Sequence, residues 1–194
     1  MTTAASADRT DDFFKKLSVS QLKTMATIKK LGAEKNMSYS LISISVEESQ
    51  LCKVKLNIQS GAVGCYHNLV SSVMPRTNRE DTPYIRNVIA VKLYENIGYA
   101  SKHAMLELDY WKKRRSGWKN IWASYYGGKY YRGKDSVAYS KRIAKGIRYI
   151  REIEKKCGPL EGIVDTYCVQ EGKLRWATVR QLQSVSYLDK NDLN

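Results

Sequence analysis

The segment from Tyr39 to Ile58 reads YSLISISVEESQLCKVKLNI and decides the expected fold. In residues 39–46 isoleucine and valine alternate with serine, and in residues 51–58 apolar and polar residues alternate. A period of two puts successive side chains on opposite faces of a strand, so both stretches are predicted strands. The short polar link Glu47-Glu48-Ser49-Gln50 favours a hairpin between them.

Similar patterns continue along the chain. Alternation predicts further strands over residues 84–94, 103–111, 163–169 and 174–179. Spacings of three and four predict helices over residues 19–31, 62–74 and 136–157, and the first is preceded by a capping-box pair, Ser18 and Gln21. Together these patterns predict an α+β fold, a single compact domain of mostly antiparallel sheet with about three flanking helices.

The chain of 194 residues is most simply one domain. The small polar residues at its start predict a flexible N-terminal tail over residues 1–17. The α+β domain is expected over residues 18–188, and a frayed C-terminus over residues 189–194.

The four cysteines indicate an intracellular protein. None forms a C-x-x-C pair and no hydrophobic run resembles a secretory signal, so they are expected to be reduced and buried. Cys65 and His67 have zinc-ligand spacing, but no second pair accompanies them. No metal site, cofactor or catalytic residue is therefore predicted, and the absence of a long apolar run limits any membrane contact to the periphery.

Positive charge is concentrated in residues 112–148, here called the basic segment. It holds twelve lysines and arginines against a single acid, Asp135, and so carries most of the formal net charge of +14. Lysine and arginine neutralise phosphates, while tyrosine and tryptophan stack on bases or lie at a lipid headgroup boundary. The segment therefore predicts a surface that binds a polyanion.

Two sets of residues are predicted to form that surface. The cations expected to bind nucleic acid or lipid are Lys112, Lys113, Arg114, Arg115, Lys119, Lys129, Arg132, Lys134, Lys141, Arg142 and Lys145. The rings expected to stack or to sit at an interface are Trp111, Trp118, Trp122, Tyr125 and Tyr126. Phe13 and Phe14, which precede Lys15 and Lys16, are candidates for dipping into a membrane, and packing in the core is the alternative.

The order of elements resembles that of the rhabdovirus matrix proteins. The likeness is carried by LCKVKLNIQS (51–60), HAMLELDYW (103–111) and EGIVDTYCVQEGKLRWATV (161–179). This resemblance implies a non-enzymatic structural protein of the virion and the host cytoplasm. Such a protein self-associates as a homo-oligomer and bridges a ribonucleoprotein to an anionic membrane.

Two other functions stay open. The first is a single-stranded nucleic-acid-binding protein, such as a silencing suppressor or movement factor, without a membrane role. The second is a metal-dependent nuclease, for which Asp165 and Glu171 would hold Mg²⁺ and Lys173 would lie near the attacking water.

Overall fold

The computed structural model describes residues 12–14 and 16–163, together with the backbone of residues 169–170 and 173–174. The described chain is mostly helical and contains little strand, so the predicted sheet-rich α+β fold is wrong. The chain divides into two compact units. Unit I takes the described residues up to Ala26 and those from Leu108 onward, and unit II runs from Thr27 to Glu107.

The elements follow one another in a simple order. Those that contain residues of unit II are α1 (Val19–Ala33), α2 (Ser38–Ser49), β1 (Leu56–Asn57), β2 (Ala62–Val63), α3 (Val70–Val73), a 3-10 turn (Met74–Arg76), α4 (Pro83–Glu95) and α5 (Ile97–Lys112). The later elements are α6 (Trp118–Gly127), a 3-10 turn (Gly128–Tyr130), α7 (Lys134–Cys157), β3 (Val169–Gln170) and β4 (Lys173–Leu174).

Helix α2 replaces the strand predicted over residues 39–46. Its serines are buried together with its isoleucines, so the alternation does not separate a core face from a solvent face. The Ser45 hydroxyl donates to the carbonyl oxygen of Ile42 at 2.8 Å, and the Ser49 hydroxyl lies 3.0 Å from that of Ser45. Such hydrogen bonds satisfy the hydroxyls within the helix itself, which lets serine act as a small core residue.

Helices α4 and α5 replace the strands predicted over residues 84–94 and 103–111. Thr82 caps α4, because its hydroxyl accepts a hydrogen bond from the amide of Ile85 at 3.3 Å. Pro83 follows in the first turn, where its fixed φ and missing N–H suit a helix start. In α4 these start signals outweigh the period-two pattern of residues 84–94.

In the described residues the predicted sheet is replaced by two short antiparallel strand pairs. Strand β1 pairs antiparallel with β2, in the register Leu56↔Val63 and Asn57↔Ala62, so the strand over 51–58 and the helix over 62–74 are both largely wrong. Ile58 is 88% exposed, so the alternation there marks no buried face. Strands β3 and β4 pair antiparallel within the hairpin predicted over 163–179, and the rest of that hairpin lies outside the described residues.

Two predicted helices are confirmed. In α1 the capping box forms as expected, with the Ser18 amide donating to the Gln21 side chain at 2.9 Å. In α7 the apolar face is buried through Tyr139, Ile143 and Ile150, while lysine and arginine occupy its other side. Residues 112–135 are predicted as a loop with a short element around Ile121 and Trp122. That element is α6, which packs on α7.

The core of unit I contains the N-terminal phenylalanine. Phe14 is fully buried and stacks on Tyr149 of α7, with ring centroids 5.1 Å apart. Phe13 is half-buried and meets Phe14 edge to face. The alternative of core packing is therefore the one seen for Phe14, which is unavailable to a membrane in this conformation.

A disulfide in unit II corrects the expectation of reduced cysteines. Cys52 and Cys65 are bonded, with their Cα atoms 4.3 Å apart and a sequence separation of 13. Cys157 of unit I is also disulfide-bonded. The spacing rule missed the first pair because the turns after α2 and the β1–β2 hairpin bring the two cysteines together.

Candidate functional site

The basic segment forms the end of α5, α6, the second 3-10 turn and most of α7. Eight of its predicted binding cations are exposed: Lys112, Lys113, Arg114, Lys119, Lys129, Arg132, Lys134 and Lys141. Arg115, Arg142 and Lys145 are half-buried. The structure thus leaves most of the predicted cations open to solvent.

The rings of the basic segment are engaged mainly with its own cations. The guanidinium of Arg115 lies over the rings of Trp111 (5.2 Å) and Tyr131 (4.3 Å) and donates to the Ser124 hydroxyl at 3.2 Å. Arg114 lies 3.7 Å from the ring centroid of Tyr110. Arg115 therefore has a structural role in addition to any contact with a ligand.

The predicted stacking residues separate into core and surface. Trp122 is only 2% exposed and stacks on Trp118, which makes it a core residue rather than a binding ring. Tyr126 is exposed although it stacks on Tyr139. Sequence reasoning did not select Tyr130, which is the most exposed ring of this segment.

A second candidate site lies in unit II at the C-terminal end of α2. The carboxylate of Glu48 is 3.3 Å from the Nδ1 atom of His67, and the two side chains are 19% and 10% exposed. The Nε2 atom of His67 lies 3.0 Å from the carbonyl oxygen of Val54. We call Glu48 and His67 the Glu–His pair.

Backbone strain is concentrated beside the Glu–His pair. Gln50, Leu51 and Cys52 follow one another with φ of 54°, 57° and 66°, and His67 has φ of 46°. The left-handed region costs a residue with a side chain roughly 1–2 kcal/mol, so three in succession are expensive. Strain of this kind gathers at functional sites, where the surrounding structure holds it in place.

Several contacts hold this strained turn. The Cys52–Cys65 disulfide ties it to the β1–β2 hairpin. The Ser49 hydroxyl accepts from the Cys52 amide at 2.9 Å and lies 2.7 Å from the Cys65 carbonyl oxygen, to which it can donate. Gly64 adopts φ of 85°, and a Cβ there would collide with the backbone of Leu93. The disulfide, the Ser49 hydrogen bonds and the close packing of Gly64 each restrain residues that flank the Glu–His pair.

The position of Glu48 at the end of α2 is unfavourable for the stability of that helix. Glu47 and Glu48 occupy the last turn of α2, where the helix dipole is negative and acids are normally disfavoured. The hydrogen bond with Glu48 raises the pKa of His67 above its ordinary value, and partial burial opposes that rise. A carboxylate and an imidazole at this distance can share a proton, and such groups can serve in general acid–base catalysis.

Sequence reasoning missed the Glu–His pair. It placed Glu47 and Glu48 in a hairpin link and treated His67 as an ordinary histidine. Two acids at a helix C-terminus were the available signal, but the helix itself had been predicted as a strand.

The part of the chain that the structure describes has neither a metal-binding cluster nor a membrane-spanning helix. Within it, no group of three or more His, Cys, Asp or Glu side chains could hold a metal ion. Asp165 and Glu171 of the nuclease alternative, and the side chain of Lys173, lie outside the described residues. Among the helices described here, none has both the length and the apolar character needed to cross a bilayer.

No family model, curated protein or solved structure matches this chain. The resemblance to the rhabdovirus matrix proteins therefore stays a prediction. One of its three segments, residues 103–111, was expected to be a strand and is part of α5.

Proposed function

We propose that this protein is an acid–base enzyme that cleaves glycosidic bonds, with Glu48 as the proton donor. The proposal is carried by the Glu–His pair, held at 3.3 Å at the strained and disulfide-tied end of a buried helix. It departs from the non-enzymatic protein expected from the sequence, an expectation that neither the fold nor the comparisons test.

The chemistry around Glu48 favours an acetal over an ester or amide. Acyl transfer needs an activated nucleophile, but the Ser49 hydroxyl is held by backbone groups and Cys52 and Cys65 are joined to each other. An acetal instead needs a proton on its leaving oxygen. One carboxylate with a proton-bearing neighbour supplies that step.

The proposed reaction proceeds in two steps. The proton that His67 shares with Glu48 passes through the Glu48 carboxyl to the glycosidic oxygen as the bond from that oxygen to C1 breaks, and the leaving sugar departs with a free hydroxyl. The N-acetyl oxygen of the remaining sugar bonds to C1, which is the substrate-assisted route. A water or sugar hydroxyl then replaces it at C1 and gives its proton to the Glu48 carboxylate, while His67 orients the carboxylate.

The net charge of the chain and its disulfide limit the class of substrate. A formal net charge of +14 favours an anionic polymer. Disulfides persist in oxidising compartments, so the Cys52–Cys65 bond favours a site outside the cytoplasm rather than the intracellular location expected from sequence. A carboxylate-bearing, N-acetylated cell-wall glycan meets both conditions.

The test is the release of soluble fragments from insoluble bacterial cell wall by the purified protein. Chitin, which is N-acetylated and neutral, is the matched substrate for the charge argument. We expect release from cell wall, and slower release from chitin. No release from either polymer across a range of pH would contradict the proposal.

Binding of RNA or of an anionic membrane through the basic segment is the second candidate function. The observation that favours it is the set of eight exposed cations in a segment with a single acid. This candidate keeps the matrix-like bridge, its self-association and its virion and host-cytoplasm location as proposals, along with the plain single-stranded nucleic-acid binder.

Salt dependence tests the second candidate. Replacing Lys113, Lys119, Lys134 and Lys141 by Ala should flatten the dependence of RNA affinity on salt. Each lost phosphate contact lowers the slope by about 0.7 for a single strand, so the full set lowers it by up to about 3. The measurement is RNA affinity by fluorescence anisotropy from low to moderate salt. An unchanged slope would place the RNA contacts elsewhere.

The Glu–His pair also predicts a pH dependence of stability. The folded pKa of His67 is raised, so its contribution is fully present below the unfolded value of about 6.5 and is lost as pH rises through the folded pKa. Urea denaturation across neutral and mildly alkaline pH should show this loss, and His67→Gln should abolish it. A stability profile unchanged by His67→Gln would contradict the pairing.

A further inference from the structure

A cavity of about 210 Å³ lies in unit II, apart from the residues of the Glu–His pair. It is formed by the first 3-10 turn and the residues after it, together with α4 and α5. Its lining residues are Arg76, Thr77, Arg79, Ile89, Lys92, Tyr99, Lys102, His103 and Leu106. The reaction proposed above uses none of them.

The lining is strongly cationic. It includes two arginines and two lysines, and it contains no acid. Arg76 forms an ion pair with Glu107, while Arg79, Lys92 and Lys102 are exposed side chains at the cavity wall. Like charges that share a small cavity repel one another, which favours an anion placed among them.

His103 adds a buried polar atom to this cavity. The residue is only 4% exposed, and its Nδ1 atom has no hydrogen-bond partner. A buried nitrogen without a hydrogen-bond partner is destabilising. This atom has almost no accessible surface, so an anion in the cavity acts on the His103 ring through its charge. Burial, reinforced by the charges of Arg76 and Lys102, lowers the pKa of His103 to about 4. The imidazole is therefore neutral at ordinary pH.

Apolar groups complete the wall. Ile89 and Leu106 line the cavity, and the ring of Tyr99 lies edge-on to His103 with centroids 4.5 Å apart. The Nζ atom of Lys92 is 6.0 Å from the centroid of that ring. A ligand that fits this wall needs an organic part beside its charged part.

We propose that this cavity binds the phosphoryl group of a phosphate ester. Four cations surround the space, and only Arg76 has an ion-pair partner within the described contacts. This excess of positive charge favours a phosphoryl dianion over a singly charged carboxylate. Lys92, Lys102 and Arg79 hold the phosphoryl oxygens, and the His103 ring lies beside them. The organic part of the ester lies against Ile89, Leu106 and the ring of Tyr99.

Calorimetric titration of the full chain with phenyl phosphate, inorganic phosphate and acetate tests the proposal. We expect phenyl phosphate to bind more tightly than inorganic phosphate, and acetate to bind weakest. The order distinguishes an ester from free phosphate as the natural ligand. Equal affinity for all three anions, or no binding of either phosphate, would overturn the assignment.

Charge-matched variants locate the site. Lys92→Ala with Lys102→Ala should weaken phenyl phosphate binding by roughly tenfold or more, since two charged hydrogen bonds to the phosphoryl group are lost. Lys30→Ala with Lys155→Ala removes the same charge from exposed positions outside the cavity and should leave the affinity unchanged. An equal loss in both double variants would reduce the effect to net charge and overturn the site.

The pH dependence of anion affinity tests the role of His103. The charged or titratable groups around it are Arg76, Arg79, Lys92, Tyr99, Lys102 and Glu107. Sulfate is the probe, because a phosphate ester itself takes up a proton near pH 6 whereas sulfate remains a dianion. Bound sulfate favours the imidazolium, so affinity should rise as pH falls from about 7 to 5, and His103→Gln should remove this rise. A rise that persists in the variant would exclude His103 from the site.

Discussion

Replacing Glu48 by Gln should lower the rate of glycan cleavage by about 10²–10⁴-fold, the usual contribution of a general acid. The amide keeps the size of the side chain and can still accept a hydrogen bond from His67, but it has no proton to give. The expected change is in kcat rather than in KM, because the lost interaction forms only as the glycosidic oxygen leaves. The measurement is the initial rate of soluble-fragment release from cell wall.

Glu47→Gln is the matched control for this result. Glu47 lies in the same last turn of α2, so the substitution makes the same change of charge at the same end of the helix dipole. We expect it to retain most of the activity. Equal losses in the two variants would show that helix electrostatics, and not proton donation by Glu48, governs the rate.

Replacing both Cys52 and Cys65 by Ser should reduce the free energy of unfolding by about 3 kcal/mol. The bond closes a short loop, 13 residues apart in sequence, and the chain-entropy estimate for a loop of about that length is near this value. The turn at Gln50, Leu51 and Cys52 would also lose a restraint on its strain. Urea denaturation of the oxidised protein measures the change.

This comparison uses variants because a reductant would also act on the disulfide of Cys157. The double variant should in addition lose glycan cleavage at temperatures where it remains folded, as the turn relaxes beside Glu48. A loss of stability with full activity would separate the disulfide from the site. A loss of under about 1 kcal/mol would show that the disulfide contributes little.

Sequence predicted α7 because its polar and apolar faces are chemically distinct, and α1 from its capping pair and spacing. In α7 charged residues and isoleucines occupy opposite sides, so the period of 3.6 is visible. In α2 the serines are buried with the isoleucines and bond to their own backbone, so the same helix has the period of a strand. Small hydroxyls are thus ambiguous in patterns that treat every polar residue as exposed.

The two candidate sites differ in how far sequence could predict them. The exposed cations of the basic segment follow from local composition, which the fold does not alter. The Glu–His pair depends on a helix end and a hairpin that bring Glu48 to His67 across 19 positions of sequence. The burial of Trp122 likewise depends on the packing of α6 on α7.

The buried serines of α2 have a consequence for how closely Glu48 is positioned. Short side chains have little rotamer entropy to lose when a helix is fixed, in contrast to the long side chains common in helices. The four buried serines of α2 are therefore ordered at low entropic cost, and the Ser49 hydroxyl lies 2.7 Å from the carbonyl oxygen of Cys65. Under the proposed function, this low cost favours a helix end that is already in place when Glu48 meets a substrate.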